Sequence, residues 1–267
     1  MFVQLPDGLR MYCEERGEGP PVVLVHGLRC SHVTWRHQVP ALSRAGYRVV
    51  APDLRGHGET DKPVGPYSHE LWTGDLLALL DILELEQPVL AGHSLGGGIV
   101  QSFALQHPER VHALVLVSTS PQRAPYVSEA LRRSAEIALK EGRLPSAEAS
   151  VRGRVGPGYA EAHPDEIAIE SASMVTDPQA FGASCLGNAA DRNIVSELHR
   201  FTFPVLFIAG ESDRADTKTN AARYREHLAD VETHILPGVG HMVPMEAPDI
   251  VNAVLLAFLQ RVHSESC

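Results

Sequence analysis

Five short, nearly continuous apolar runs punctuate this chain, at 21–25, 47–51, 89–91, 113–117 and 205–209. A strand with one wet face alternates polar and apolar residues, so runs without alternation belong to strands covered on both faces, as in a parallel sheet. The segments between them carry apolar residues at helical spacing, over 33–44, 70–83, 95–107, 219–228 and 248–262. Strand and helix in alternation predict a doubly wound, mostly parallel α/β sheet with right-handed crossovers. Two extended segments at 2–5 and 9–14, with Asp7-Gly8 as the turn between them, predict an antiparallel hairpin at the sheet edge.

One stretch breaks the alternation. From 121 to 200 the pattern is helical, over 127–140, 164–174 and 178–186, with glycine and proline between the segments. The expected organisation is a core formed by 1–120 and 201–267, with 121–200 an all-helical cap over the carboxyl ends of the strands, where sheets of this kind bind ligands.

The hexapeptide Gly92-His93-Ser94-Leu95-Gly96-Gly97 falls between an apolar strand and a helix. A serine on such a corner is held above the sheet edge, and small neighbours let strand and helix approach. Its helix N-terminus directs the free N–H of Leu95 at developing negative charge. A serine nucleophile needs a base, and the base needs a carboxylate to fix its tautomer. His241, after the strand around 232–236 and the turn Pro237-Gly238-Val239-Gly240, is the expected base. Asp213, just beyond the run at 205–209, is the expected acid, with Glu211 and Asp216 in the same loop as alternatives. The order serine, acid, histidine is the one this fold uses. A second oxyanion donor is expected from the loop after the first buried strand, as the backbone N–H of Leu28. The histidines at 69, 107, 112, 199 and 227 fall in helices or turns and are expected at the surface.

A net charge of −10 disfavours nucleic acid and anionic membrane as partners, because phosphate contacts need clustered Lys and Arg. No apolar run is long enough to span a bilayer, and Met1 to Asp7 lacks a basic segment followed by an apolar one, so a cytoplasmic location is expected. Cys13, Cys30, Cys185 and Cys267 are scattered, without metal-ligand spacing; reduced thiols, no metal and no cofactor are expected, with Cys30 as a small buried residue.

His26-Gly27, Ser31 with Trp35, Asp53-Leu54-Arg55-Gly56-His57-Gly58, the hexapeptide, Gly210 to Asp213 and Gly240-His241 together resemble the α/β-hydrolase superfamily, over nearly the whole chain. The resemblance implies a serine hydrolase acting on a small ester or lactone; serine at position 94 sets it apart from the branch with an aspartate nucleophile. It implies a structural role for His57. Carboxylesterases, enol-lactonases, acyl-homoserine lactonases, carbon–carbon bond hydrolases and perhydrolases share this triad, and some members of the fold are slow-turnover small-molecule receptors. Arg29, Trp35, Tyr126 and Phe181 are the candidate substrate contacts, and Arg29 or Arg192 is placed to meet a substrate carboxylate. Few aromatics in the cap point to a small or aliphatic acyl group. Gly98, a third glycine in the helix after Ser94, costs about 1 kcal/mol of helix propensity and implies close packing or space for substrate.

Overall fold

The computed structural model describes residues 1–213 and 216–264. One sheet contains β1 (Phe2–Gln4), β2 (Arg10–Arg16), β3 (Pro21–Val25), β4 (Arg48–Pro52), β5 (Val89–His93), β6 (Ala113–Val117), β7 (Val205–Gly210) and β8 (Val231–Leu236), in the order β1-β2-β4-β3-β5-β6-β7-β8. The pairings of β1 with β2 and of β2 with β4 are antiparallel, and the rest are parallel. Of the expected edge hairpin only β1 is an edge, because β2 pairs with β4 on its other side, Glu14 opposite Ala51.

The helices are α1 (Gln38–Arg44), α2 (His69–Ile82), α3 (Leu95–Gln106), α4 (Pro125–Glu141), α5 (Ala147–Arg152), α6 (Tyr159–Ala162), α7 (Pro164–Ala172), α8 (Pro178–Asn188), α9 (Thr217–His227), α10 (Val243–Glu246) and α11 (Pro248–Ser264). The helical pattern at 33–44 resolves into a 3-10 turn, His32–Trp35, followed by α1. Pro40 lacks an N–H and fits only the first turn of a helix, so α1 begins just before it.

Successive strand residues face two different apolar layers, which is why the runs do not alternate. Val23, Val25, Leu90, Leu114, Leu116 and Phe207 pack with Leu79, Leu80, Ile99, Phe103 and Tyr224 from α2, α3 and α9. Val22, Leu24, Val49, Val115 and Ile208 pack with Val39, Leu42, Val251, Leu255 and Phe258 from α1 and α11 on the opposite face. The strands are thereby fixed in register, and their carboxyl ends share one rim.

Between β6 and β7 the chain is helical, α4 to α8 and a 3-10 segment Val195–Arg200, apart from an isolated bridge between Gln122 and Asn193. α4 and α8 share Ala135, Ala138, Ala180, Phe181 and Cys185 as their own small core. Val151, Ala160, Ile167 and Met174 from the α5–α7 half close onto Cys30, Met242 and Met245. Glu170 of α7 accepts hydrogen bonds from Thr34 Oγ1 (2.7 Å) and Arg36 Nη1 (2.9 Å). Cys13, Cys30 and Cys185 are buried and free, and Cys267 lies outside the described residues. Among the described residues, no helix is long and apolar enough to cross a membrane.

Candidate active site

β5 ends at His93 and α3 begins at Leu95, leaving Ser94 as a one-residue corner with φ 53° and ψ −110°. That backbone region costs a non-glycine residue about 1–3 kcal/mol, so its surroundings must impose it. The Ser94 N–H donates to the Val117 carbonyl of β6 (2.9 Å), and its own carbonyl accepts from the Gly98 N–H (3.1 Å) and Thr119 Oγ1 (3.0 Å). A Cβ at Gly92 would overlap the Gly96 carbonyl, and one at Gly96 would overlap the Val25 carbonyl of β3. Only glycine lets three elements converge on one serine here.

The Leu95 N–H occupies the first position of α3 and has no intrahelical acceptor. Leu28 follows Gly27, whose backbone lies so near the corner that a Cβ there would be 2.8 Å from His93 Nδ1 and 3.3 Å from Ser94 Cβ. The two loops expected to supply oxyanion donors therefore meet at Ser94.

His241 Nδ1 lies 2.7 Å from Asp213 Oδ2. A carboxylate only accepts, so Nδ1 carries the hydrogen and the lone pair of the neutral ring is on Nε2. The Asp213 side chain is 3% exposed and that of His241 is 22% exposed, which shields the pair while leaving the ring reachable. The alternative acids are engaged elsewhere: Glu211 pairs with Lys218 (3.1 Å), and Asp216 caps α9 through the Thr219 N–H (3.0 Å).

Hydrogen bonds to the backbone on both sides hold the loop around His241. Its N–H donates to the Arg154 carbonyl (2.7 Å), and its carbonyl accepts from His93 Nε2 (2.9 Å). Burial pushes the His93 imidazole down to about 3, so it stays neutral with the hydrogen on Nε2. Glu246, in α10, accepts from the two amides flanking His241, those of Gly240 (2.8 Å) and Met242 (2.9 Å), and also from Gly156 of the helical insertion (2.6 Å). Burial pushes the Glu246 carboxyl up, against three amides that favour its charged form. Neither His93 nor Glu246 had a role in the sequence reading, because their partners are backbone groups that leave no side-chain signature.

Ser94 and His241 line two connected hollows. The larger, about 820 Å³, is walled by Leu28, Val127, Ala130, Leu131, Val155 and Pro157, and Asp213 also lines it. The smaller, about 310 Å³, runs past Leu95, Gly98, Ser120, Arg192 and Asn220. Arg123, Tyr126, Val127 and Asn188 line both.

Of the expected substrate contacts, Tyr126 lines the cavity, and three do not. Trp35 is fully buried among Val22, Leu24 and Val39, on the α1–α11 side of the sheet. Arg29 is buried and spans to the insertion, donating to the Val175 carbonyl (3.2 Å), Ser150 Oγ (2.9 Å) and the Pro145 carbonyl (3.0 Å). Phe181 is buried under that guanidinium, 5.2 Å from its ring centre, in the α4–α8 core. His69, expected at the surface, has both ring nitrogens buried, and burial pushes it down to about 3. His57 is buried 5.2 Å from His26, with Nδ1 bonded to the Arg55 carbonyl (3.1 Å) and its titration also pushed down to about 3. Cys30 is buried in the cluster that docks the insertion.

A family model described as the alpha/beta hydrolase fold matches residues 20–248. The chain belongs to the α/β-hydrolase family. A 3-oxoadipate enol-lactonase 2 from Acinetobacter baylyi is 27% identical to this α/β-hydrolase over 248 residues, 93% of this chain and 91% of that one. A thermophilic esterase from Thermogutta terrifontis superposes with a TM-score of 0.90 at 28% identity, over 98% of both chains. The enol-lactonase from Burkholderia xenovorans LB400 gives 0.88 at 27% identity, over 97% of this chain and 100% of that one.

Proposed function

We propose that this α/β-hydrolase is a serine carboxylester hydrolase acting on a small ester or lactone through an acyl-enzyme. The observation that carries the reading is the 2.7 Å bond between His241 Nδ1 and Asp213, on a ring that shares its cavity with a serine held at positive φ. In this reading His241 Nε2 takes the proton of the Ser94 hydroxyl as Oγ attacks the substrate carbonyl. Asp213 holds the ring in the tautomer that makes Nε2 the base and stabilises the imidazolium that forms. The amides of Leu28 and Leu95 receive the oxyanion, and His241 returns the proton to the departing oxygen. Water then repeats the sequence on the acyl-Ser94 ester. The helical segment between β6 and β7 serves as a lid in this reading, with Tyr126 over the bound substrate.

Relatives named as an esterase and as enol-lactonases support open-chain and cyclic esters alike. The test is hydrolysis of p-nitrophenyl acyl esters of two chain lengths beside aliphatic lactones, by wild type and Ser94→Ala. Turnover by wild type that the variant lacks is the expected result, and the ester-to-lactone ratio selects the branch. Equal rates for the two proteins overturn the reading.

A further inference from the structure

Arginines removed from water ordinarily find a carboxylate, because an uncompensated buried charge is costly. Two arginines in the catalytic cavity find only neutral partners among the described residues. Arg123, between β6 and α4, donates from Nη2 to Asn188 Oδ1 (2.6 Å), and its backbone N–H donates to the Arg192 carbonyl (2.8 Å). Arg192 donates from Nη1 to the Ser120 carbonyl (2.9 Å). Arg123 Nε and Arg192 Nε and Nη2 are buried without a hydrogen-bond partner. Burial pushes both guanidinium groups down, Arg192 to about 10, and at neutral pH each remains a cation.

Among the described residues the surroundings add no carboxylate bonded to either guanidinium. His69, whose nitrogens are also buried and unpartnered, is neutral. Gly98 admits this polar layer, since a Cβ there would lie 2.8 Å from His69 Cε1 and 3.7 Å from Arg192 Nη1. The acid lining the smaller arm, Asp216, is exposed and bonded to Thr219, with Arg223 as its cationic neighbour. Among the described residues, one wall of the smaller arm is thus cationic without an acidic partner, and the same arm is lined by Ser94 and Leu95.

We propose that this arm receives a carboxylate group of the substrate, anchored by Arg123 with Arg192 behind it. The preferred substrates are then short esters or lactones that carry a second, ionised carboxyl group away from the bond cleaved. The proposal rests on the serine hydrolase reading above for the identity of that bond. A guanidinium presents two parallel N–H donors to a carboxylate, which fixes the orientation of the substrate as well as binding it. A cavity arm of about 310 Å³ suits a short diacid chain rather than a long acyl tail.

Mono-p-nitrophenyl succinate and p-nitrophenyl butyrate differ by a carboxylate in place of a methyl group and form the test pair. After subtraction of the Ser94→Ala rate, wild type should favour the succinate in kcat/KM by about tenfold or more, as expected for a charge-assisted contact. Arg123→Gln should lower that ratio by about the same factor, and Arg123→Lys should restore part of it. A wild-type preference for butyrate, or one ratio shared by wild type and Arg123→Gln, overturns the proposal. If neither ester is cleaved faster than by Ser94→Ala, the hydrolase reading fails by itself, and thermal shift decides the subsite. Succinate should then raise the Tm of wild type but not of Arg123→Gln, while succinamide raises neither; equal shifts, or none, overturn it.

Discussion

Replacing Glu246 with glutamine keeps the shape of the side chain and removes one acceptor oxygen. Oε2 serves the Gly240 and Gly156 amides and Oε1 serves that of Met242, so all three donors share a single carboxylate. Glutamine has one carbonyl oxygen. Turned toward the Gly240 and Gly156 pair, it leaves its NH₂ facing the Met242 N–H, donor against donor. An orphaned buried amide costs about 1–3 kcal/mol, and the two surviving bonds lose their charge assistance at about 1 kcal/mol each. Glu246 is only partly buried, and its charge is opposed by desolvation, so the net loss falls near the lower end of that sum, about 3 kcal/mol. For a domain of this size the melting temperature should drop by about 5–10 °C. Because the released amides flank His241, kcat toward the best p-nitrophenyl ester should fall by about tenfold or more through misplacement of the base. Differential scanning calorimetry and steady-state kinetics read the two effects. Glu148→Gln, which removes one exposed pair with Arg152, is the control and should change neither measurably. An unchanged Tm together with an unchanged kcat in Glu246→Gln would refute the argument.

Asp213→Asn should lower kcat by about 10⁴-fold by presenting the wrong tautomer, while Asp216→Asn, at a helix cap where asparagine serves as well as aspartate, should leave the melting temperature nearly unchanged. If the larger kinetic loss follows Asp216→Asn, the assignment of the acid is wrong. Gly27→Ala should move the Leu28 loop away from Ser94 and lower kcat by about 10²–10³-fold, with the melting curve showing whether the loss is local. His57 and His93 are held neutral by burial, each with its titration pushed down to about 3 from an unfolded value near 6.5. The unfolded chain therefore binds more protons below pH 6.5, and stability should fall as pH drops from there toward 3, by about 3 kcal/mol per unit for the pair. Urea unfolding at pH 7.5, 6 and 5 measures this slope; a flat profile would contradict it.

The strands were legible because burial on both faces writes itself into consecutive residues, as in Ala113–Val117. The placement of Ser94 and Asp213 at the rim is legible for a related reason, since the buried runs of β5 and β7 end in turns just before them, whereas His241 follows the half-exposed β8 and is marked only by its Pro-Gly turn. Trp35 and Arg29 stand outside the cavity lining because nearness to a loop in sequence does not say on which side of a sheet a side chain emerges. Trp35 turns toward α1 and α11, and Arg29 adopts φ 67° and is held by Val175, Ser150 and Pro145. Arg123 gave no local signal, since what distinguishes it is the lack of an acid around it in three dimensions. His69 stands at an ordinary helix start in the sequence, and the space left by Gly98 lets its ring sit against α3.

The carbonyl of Arg154 and the amide of Gly156 both reach the loop that presents His241. The insertion is therefore not a detachable module. In a chimera that exchanges residues 121–200 with those of a relative, the incoming segment must bring a carbonyl and an N–H to these two points, and its residue at 156 must be glycine because any Cβ would overlap the Gly238 carbonyl. Diversification of substrate range by exchanging helices is consequently easier in the α4–α8 half, whose Val127, Ala130 and Leu131 face the cavity and which supplies neither of these two backbone anchors.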